Sequence, residues 1–252
     1  MAYRELPPPP DLAPYVACLW VRTGPGGHVL PDGCADIVWT GAGLVVVGPA
    51  TGALRPAVVP GVPKLGLRFR VGAAGASLGL PAQELLDRDV PLAELWRTGA
   101  AAEDAVARAP TAPAGLEALA QAVRERLPSA EPVDPLVRAA AVRAARAGSR
   151  VSELSARLGL SERHLRRRFA AAVGYGPKTL AGILRFQRFL ALAQREPAGR
   201  GGLARLALEA GYADQAHLTR ECRRLAGLPP TALLAASAGP AGERALALPT
   251  PA

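Results

Sequence analysis

The C-terminal half of the chain contains one pattern twice, and this repeat limits the possible folds more than any other feature. Residues 154–160 (LSARLGL) match residues 206–212 (LALEAGY) at an offset of 52, with leucine first and glycine sixth in both. Beyond this segment the offset becomes 53, and the matched pairs are Leu165 with Leu218, Arg167 with Arg220, Phe169 with Cys222, Gly174 with Gly227 and Pro177 with Pro230. A repeat of this kind indicates one structural unit used twice.

Each copy has the residues of a tight corner between two helices. A small residue, Ser155 or Ala207, stands four positions before the glycine. A small side chain lets the next helix approach closely, and glycine can adopt the left-handed conformation that ends a helix. In the first copy Ser161 is placed to cap a second helix, whose Leu165 and Phe169 lie four apart on a core-facing side. The pattern predicts a helix-turn-helix, whose second helix enters the major groove of DNA.

The outer side of each second helix carries side chains that can bind DNA. Arginine can bond bidentately to guanine O6 and N7, and glutamine can read adenine. A solvated helix face is the simpler interpretation, but the surrounding motif favours contact with bases or phosphates. The predicted base-contacting residues are Arg163, Arg166, Arg167, Gln215, Ala216 and Arg220. The predicted phosphate-contacting residues are Ser161, Arg168, Thr219, Arg223 and Arg224.

The segment between the two copies has the pattern of one long helix. Residues 178–194 carry apolar side chains at positions 180, 183, 184, 190 and 192. Such a helix spans roughly 25 Å. A strut of that order can hold two recognition helices near the ~34 Å turn of B-DNA. One chain could then read two successive major-groove segments without dimerising.

The positive charge of the chain lies in the same half as the repeat. The formal net charge is +9, and residues 131–236 hold 18 Lys and Arg against 8 Asp and Glu. The remaining residues hold 12 against 13. This segregation indicates a near-neutral domain joined to a basic domain that meets phosphate.

Residues 1–128 predict a different architecture. Residues 3–14 are a Pro-rich extended segment, and short apolar runs then alternate with Gly and Pro. These runs predict strands at 15–22, 35–40, 44–47 and 65–70. Strands so close together indicate a small β-barrel or sandwich, and the alternating run 65–70 reads as a half-buried strand. The helical patterns that follow cover residues 81–87, 91–97 and 115–127.

The fold class predicted for the whole chain is therefore α+β, with an all-α C-terminal part. Pro128 and Pro132 mark a boundary between the two parts. We expect a regulatory domain at 1–128 and a DNA-binding domain at 129–237. The Ala-, Gly- and Pro-rich residues 238–252 are expected to be disordered.

The repeat resembles the DNA-binding half of the AraC/XylS family of bacterial transcription regulators. The resemblance lies in residues 160–169 with Gly174 and Pro177, in residues 207–220 with Gly227 and Pro230, and in Leu184-Arg185-Phe186 between them. It covers about 100 residues and implies a two-lobed, seven-helix DNA-binding domain. By position, it implies base reading by the six base-contacting residues named above.

The resemblance also implies a cupin-like effector sensor in the N-terminal half, because members of the family often carry a small effector-binding β-barrel there. Residues 31–39, Leu78-Gly79 and residues 92–96 are similar to an N-terminal domain of some actinobacterial members. A pocket there could use tryptophan as a stacking wall. The competing interpretation, which we favour, is a turn followed by a core strand. The candidate effector-binding residues are Trp20, Cys34, Asp36, Trp39 and Arg68.

The sequence lacks the features that are typical of several functional classes. The three cysteines are far apart without a CxxC pair, and His28 is the only histidine outside the repeat, so neither a metal site nor a cofactor is expected. No nucleophile-elbow or P-loop motif occurs, so we do not expect an enzyme, such as a DNA-repair fusion. No apolar signal segment or membrane span is visible, and we expect a cytoplasmic, nucleoid-associated protein without membrane contact.

The sequence leaves two functions open. The first is a sequence-specific regulator of transcription whose N-terminal domain senses a small molecule. The second is a ligand-independent, weakly specific architectural DNA-binding protein. Expected partners are double-stranded DNA, a small-molecule effector and RNA polymerase, and the N-terminal domain is a candidate for homodimerisation. A redox role for Cys34 would need a lowered thiol pKa.

Overall fold

The structure is a computed structural model. It describes residues 2–24, 29–54, 59, 61–144, 155–195 and 202–238. The chain has 252 residues. The expected disordered tail lies almost wholly outside the described part, except that residue 238 ends a helix.

Six antiparallel strands form one sheet in the N-terminal half, in the order β1-β2-β5-β3-β4-β6. They are β1 Ala2–Leu6, β2 Val16–Thr23, β3 Asp36–Trp39, β4 Leu44–Val47, β5 Lys64–Phe69 and β6 Asp89–Pro91. The four predicted strands correspond to β2, β3, β4 and β5. The sequence did not predict β1, which lies in the Pro-rich segment and pairs with β2, or the short β6.

The two faces of the sheet have different surroundings, because successive side chains of a strand point to opposite faces. One face, called here the helix face, carries Leu19, Ile37, Val46 and Leu67, which pack against the helices of the N-terminal half. The other, called here the polar face, carries Cys18, Trp20 and Val38 together with Asp36 and Arg68.

The expectation that residues 65–70 form a half-buried strand is wrong. Every residue of β5 is buried, including Lys64 and Arg68. The reason is topological, since β5 pairs with β2 on one side and β3 on the other and both faces of the sheet are covered at this point. In β5 the alternation of apolar and polar residues therefore separates an apolar face from a polar face, and both faces are buried.

The N-terminal helices are α1 Ala74–Leu78, α2 Leu92–Leu95, α3 Gly99–Ala107 and α4 Ala112–Arg126. The sequence anticipated α4 but did not predict α1 or α3. The helix predicted at 81–87 is a 3-10 turn at Ala82–Leu85, and the one predicted at 91–97 is the four-residue α2. Pro81 and Pro91 both have an extended backbone, so the 3-10 turn and α2 each begin one residue after the proline.

The C-terminal half is helical in its described part. Its helices are α5 Pro135–Ala144, α6 Glu162–Val173, α7 Pro177–Arg195, α8 Gly202–Ala210, α9 Gln215–Ala226 and α10 Pro230–Ala238. The expected helix between the repeats is α7. Its buried residues Ile183, Phe186 and Phe189 lie in one core with residues from the other helices of this half. The predicted α+β class is thus the observed one.

The two halves touch each other. The segment with α1 and the 3-10 turn packs against α6, and Leu30, Val71 and Leu86 pack against the C-terminal core. Gly75 shows how closely they approach, because a methyl group at its Cα would lie 2.5 Å from the carbonyl oxygen of Ala171 in α6. The two halves therefore have separate cores that share a contact surface.

Candidate nucleic-acid interface

The first corner of the repeat has the predicted geometry. Ser155 is buried, and Gly159 has φ +63°, the left-handed conformation that favours glycine. The hydroxyl oxygen of Ser161 accepts a hydrogen bond from the backbone N–H of His164 at 3.2 Å and so caps α6. Leu165 and Phe169 are fully buried. The side of α6 opposite to them is therefore left for solvent or DNA.

The second corner repeats this geometry. Ala207 is fully buried and Gly211 has φ +95°. The carboxylate of Asp214 accepts a hydrogen bond from the backbone N–H of His217 at 2.6 Å and caps α9. Cys222 is fully buried where Phe169 lies in the first copy. This cap was not predicted from the sequence, although an aspartate before a helical run is its usual signal.

Three arginines of α6 lie on its exposed side. Arg163, Arg166 and Arg167 are all exposed. Arg166 pairs with Glu162 at 3.2 Å, one helical turn away, and exposed pairs of this kind are weak. Within the described residues, Arg163 and Arg167 have no ion pair, so their guanidinium groups are available to a polyanion.

The outer side of α9 carries fewer charges. Gln215, Ala216 and Arg220 are exposed. The hydroxyl of Thr219 donates to the carbonyl oxygen of Gln215 at 2.9 Å, which leaves its lone pairs and its methyl group for other contacts. Arg223 is exposed, and its side chain has no partner in the described chain.

Arg224 differs from Arg223 in having a partner. It donates two hydrogen bonds to Glu221, at 3.0 and 2.9 Å. These bonds lower the pKa of Glu221, so the carboxylate is charged at neutral pH and partly neutralises the arginine. The pair lies against Gly182 of α7, where a methyl group would contact Glu221 at 3.4 Å. The Glu221–Arg224 pair therefore lies beside α7, and part of the charge of Arg224 is already compensated on its own helix.

The structure gives Arg168 a role other than the predicted phosphate contact. Its Nε and Nη2 atoms donate to the two carboxylate oxygens of Asp134, at 2.6 and 2.7 Å. The same carboxylate accepts hydrogen bonds from the backbone N–H groups of Leu136 and Val137 at the start of α5. Bidentate pairs are among the strong interactions of proteins. Arg168 thus fastens α5 to α6 with two of its donors, and the phosphate contact stays a prediction.

Arg223 and Arg168 should therefore differ in their effect on DNA binding. Replacing Arg223 by alanine should reduce the slope of log affinity against log salt by about 1, because one phosphate contact is lost. Arg168→Ala should leave that slope unchanged and lower the thermal stability instead. Salt titration of DNA binding by both variants tests this, and a loss of slope in Arg168→Ala would contradict the assignment to Asp134.

Helix α7 connects the two corners. Its 19 residues correspond to about 28 Å of helix. The guanidinium carbon of Arg185 lies 5.2 Å from the ring centroid of Tyr212, a cation–π distance. Tyr212 directly follows the glycine of the second corner, so this contact holds that corner on α7.

A buried polar cluster lies on the polar face of the sheet. Arg68 donates two hydrogen bonds to Asp36, both at 3.0 Å, and Trp20 Nε1 donates to the same carboxylate at 3.0 Å. Asp32 and Glu5 lie 3.4 and 3.5 Å from the guanidinium group. Three of the five candidate effector residues, Trp20, Asp36 and Arg68, are thus in direct contact.

Burial governs the ionisation of this cluster. It raises the pKa of Asp36, against the opposing effect of Arg68. Burial alone would lower the pKa of Arg68, but Asp36 and Asp32 raise it well above its usual value, so the guanidinium stays charged. Burial also raises the pKa of Cys34 well above that of a free thiol, and that of Cys18 to about 12. A reactive thiolate at Cys34 is therefore disfavoured.

Trp39 does not join the other candidates. It packs on the helix face, with Ile37, whereas Asp36 and Val38 belong to the polar face. The structure therefore places Trp39 and Trp20 on opposite faces of the sheet. The strand period of two could have shown this, since Asp36 and Trp39 are three residues apart and must point to opposite faces.

Gly66 makes room for Trp20. The two residues pair across β2 and β5, and a methyl group at Gly66 would clash with the indole ring. Gly66→Ala should destabilise the fold by about 1–3 kcal/mol, because the buried ring has to move. Gly52→Ala is the matched control, since nothing lies within 4 Å of its added methyl group. Thermal unfolding and near-ultraviolet circular dichroism should change in the first variant alone, and equal unfolding of both would contradict the packing.

No group of three or more His, Cys, Asp and Glu side chains in the described residues is placed to hold a metal ion. No helix of the described chain is long and apolar enough to cross a membrane.

Two family descriptions match the chain. Residues 154–236 match a family described as "Helix-turn-helix domain", and residues 4–91 match "Domain of unknown function (DUF6597)". The first range contains both corners and α7, and the second contains nearly the whole sheet with its polar cluster. No curated protein sequence matches the chain.

Among solved structures, the chain is similar to ToxT from Vibrio cholerae. An apo point variant of ToxT is 12% identical with a TM-score of 0.45, over 86% of this chain and 96% of ToxT. A ToxT structure with a bound unsaturated fatty acid is 12% identical with a TM-score of 0.42, over 87% and 90%. Likenesses at this distance assign no ligand to the chain. The domain matches and the doubled corner establish that this chain carries an AraC-type helix-turn-helix domain, the DNA-binding unit of transcription regulators, preceded by a DUF6597 domain.

Proposed function

We propose that the chain is a sequence-specific DNA-binding transcription regulator that reads two successive major-groove segments. The observation that carries this proposal is the pair of matched corners, each with a buried apolar side and an exposed polar side, mounted on one helix. The base contacts are assigned to Arg163, Arg166 and Arg167 of α6, and to Gln215, Ala216 and Arg220 of α9. The phosphate contacts are assigned to Ser161 and Arg223. They are also assigned to Thr219 and Arg224, whose donors would have to turn from Gln215 and Glu221 to a phosphate.

The two corners should contribute unequally to specificity. Helix α6 offers three exposed arginines, and each bidentate pair with guanine is worth about 1–3 kcal/mol of discrimination. Helix α9 offers one glutamine and one arginine, and Ala216 can contact a thymine methyl group but cannot hydrogen-bond a base. The recognised DNA sequence is therefore expected to be asymmetric, with guanines in the half bound by α6.

An effector site on the polar face is the second part of the proposal. Trp20, Cys34, Asp36 and Arg68 would line it, because an indole edge and a charged pair can recognise a small polar molecule. The competing interpretation is a turn followed by a core strand, in which the ion pair of Arg68 with Asp36 is purely structural. A calorimetric titration with candidate small molecules, on the full chain and on Arg68→Met, separates the two.

The partners and location follow from DNA binding. A protein of this kind works at the nucleoid, in the cytoplasm, where RNA polymerase is a further candidate partner. The proposal also includes homodimerisation through residues 1–128. It divides the chain into domains at 1–128 and 129–237. A transcription regulator needs no catalytic centre, and the proposed function is therefore not enzymatic.

Genome-wide mapping of bound sites, followed by affinity measurement on the recovered duplexes, tests the proposal. A specific regulator should prefer its own sites to random duplex by about 10³ or more at physiological salt. An architectural DNA-binding protein, the alternative, would bind all duplexes with similar affinity. Equal binding to recovered and random sequences would therefore reject specific regulation.

A further inference from the structure

A glutamine lies where α7 faces the N-terminal half. Gln187 is only 2% exposed, and its Nε2 donates a hydrogen bond of 2.6 Å to the carbonyl oxygen of Pro31, 156 residues away. Within the described chain its Oε1 has no partner. Burying an amide is unfavourable unless it is hydrogen-bonded. This side chain is therefore held in the core by a single bond to the other half of the molecule.

Pro31 belongs to a loop that is itself tightly held. The loop, residues 31–34, has Gly33 at φ +91°, and a methyl group at Gly33 would lie 3.0 Å from Leu180 of α7. Leu180 and Gln187 are seven residues apart and share one side of α7. The loop thus contacts α7 at two points, two turns apart.

The loop is fixed from its other side by the polar cluster. One carboxylate oxygen of Asp32 accepts a hydrogen bond from the backbone N–H of Cys34 at 2.9 Å. The other lies 3.4 Å from Nε of Arg68. The sheet therefore holds the loop, and the loop holds α7.

The same helix carries the second corner on a different side. Helix α7 packs against α9, Gly182 lies beside the Glu221–Arg224 pair, where a methyl group would be 3.4 Å from Glu221, and Arg185 stacks on Tyr212. A rotation of α7 relative to the sheet would consequently move α9, while α6 stays against α1 and the 3-10 turn of the N-terminal half. The distance between the two recognition helices depends on how α7 is held.

We propose that Gln187 is a positioning residue which, by fastening α7 to the loop 31–34, fixes the spacing between half-sites that the protein accepts. The inference rests on the proposed function, because spacing has meaning only for a protein that reads two half-sites. The N-terminal half would then help to select DNA sites without binding an effector.

The test compares Gln187→Met with the matched control Gln121→Met in the full-length protein. Methionine keeps the length and unbranched shape of glutamine but cannot donate to Pro31, and Gln121 is exposed on α4. Binding is measured on the best duplex recovered by selection from random DNA, and on duplexes with one or two base pairs added between its halves. A third duplex keeps only the half bound by α6.

The wild type and the control should lose about tenfold or more in affinity when two base pairs are added, and Gln187→Met less than about threefold. All three proteins should bind the half-site duplex equally, a result that loss of folding would not give. An unchanged spacing penalty in Gln187→Met overturns the inference while leaving the proposed function intact. A wild type without preference for any selected duplex overturns both.

A second variant covers the case in which Gln187→Met does not fold. Asp32→Ala frees the same loop from the cluster, and it removes a side chain that reaches the protein surface in part. It should relax the spacing penalty in the same direction. A folded Asp32→Ala with the penalty of the wild type rejects the inference.

Discussion

Replacing Arg163 and Arg167 together by alanine will weaken binding to the cognate site by at least about thirtyfold, since each base contact is worth about 1–3 kcal/mol. Both guanidinium groups are exposed and free of ion pairs in the described chain, so the change removes no internal ion pair. The buried residues Leu165 and Phe169 lie on the opposite side of α6 and are untouched. Fluorescence anisotropy on cognate and random duplexes measures the effect.

The control for this prediction is Arg108→Ala, which removes one arginine from the exposed surface just after α3. In the described chain that arginine pairs with Asp104, and its side chain is 76% exposed. The change should alter the affinity for the cognate duplex only slightly, by the amount expected from the loss of one unit of net charge. If the double variant loses the same factor on random DNA as on the cognate site, these arginines bind phosphates and do not read bases.

Replacing Asp36 by alanine will destabilise the N-terminal half by about 3 kcal/mol, since removing one partner of a buried ion pair leaves the other charge uncompensated. Arg68 would lose two hydrogen bonds of 3.0 Å, and the indole N–H of Trp20 would lose its acceptor. The value lies at the low end of the range for broken buried pairs, because Asp32 and Glu5 remain near the guanidinium. Thermal unfolding should show a midpoint lowered by roughly 6–12 °C.

Asp104→Ala is the matched control for Asp36→Ala. It removes the acidic partner of an arginine on the surface, where both side chains are more than half exposed, and such pairs contribute little. Its unfolding midpoint should stay close to that of the wild type. Similar midpoints for the two variants would mean that the Arg68 cluster is hydrated rather than buried.

The features that the sequence predicted well are those carried by neighbouring residues. Ser161, Leu165 and Phe169 lie close together in the chain, so cap, core side and exposed side of α6 follow from helix geometry alone. The same reasoning predicted α7 to within one residue at each end. Exposed arginines at i, i+3 and i+4 follow from the same local rule.

The features that it missed depend on contacts between distant residues. The partner of Arg168 is 34 residues away, and that of Gln187 is 156 residues away, so no local pattern reports either one. The burial of β5 on both faces depends on its two neighbours in the sheet, and β1 exists because β2 pairs with it. The position of Trp39 is the exception, because the strand period alone could have predicted it.

Guanine methylation interference on the selected site tests most directly whether both corners of one chain bind one duplex. Methylation at N7 blocks the major-groove acceptor that arginine uses, so interfering guanines mark the contacts of each recognition helix. The expected result is two clusters on one face of the duplex, about 10 base pairs apart, with the stronger cluster lost in the Arg163/Arg167 double variant. A single cluster, or none, would contradict the reading of two successive grooves by α6 and α9.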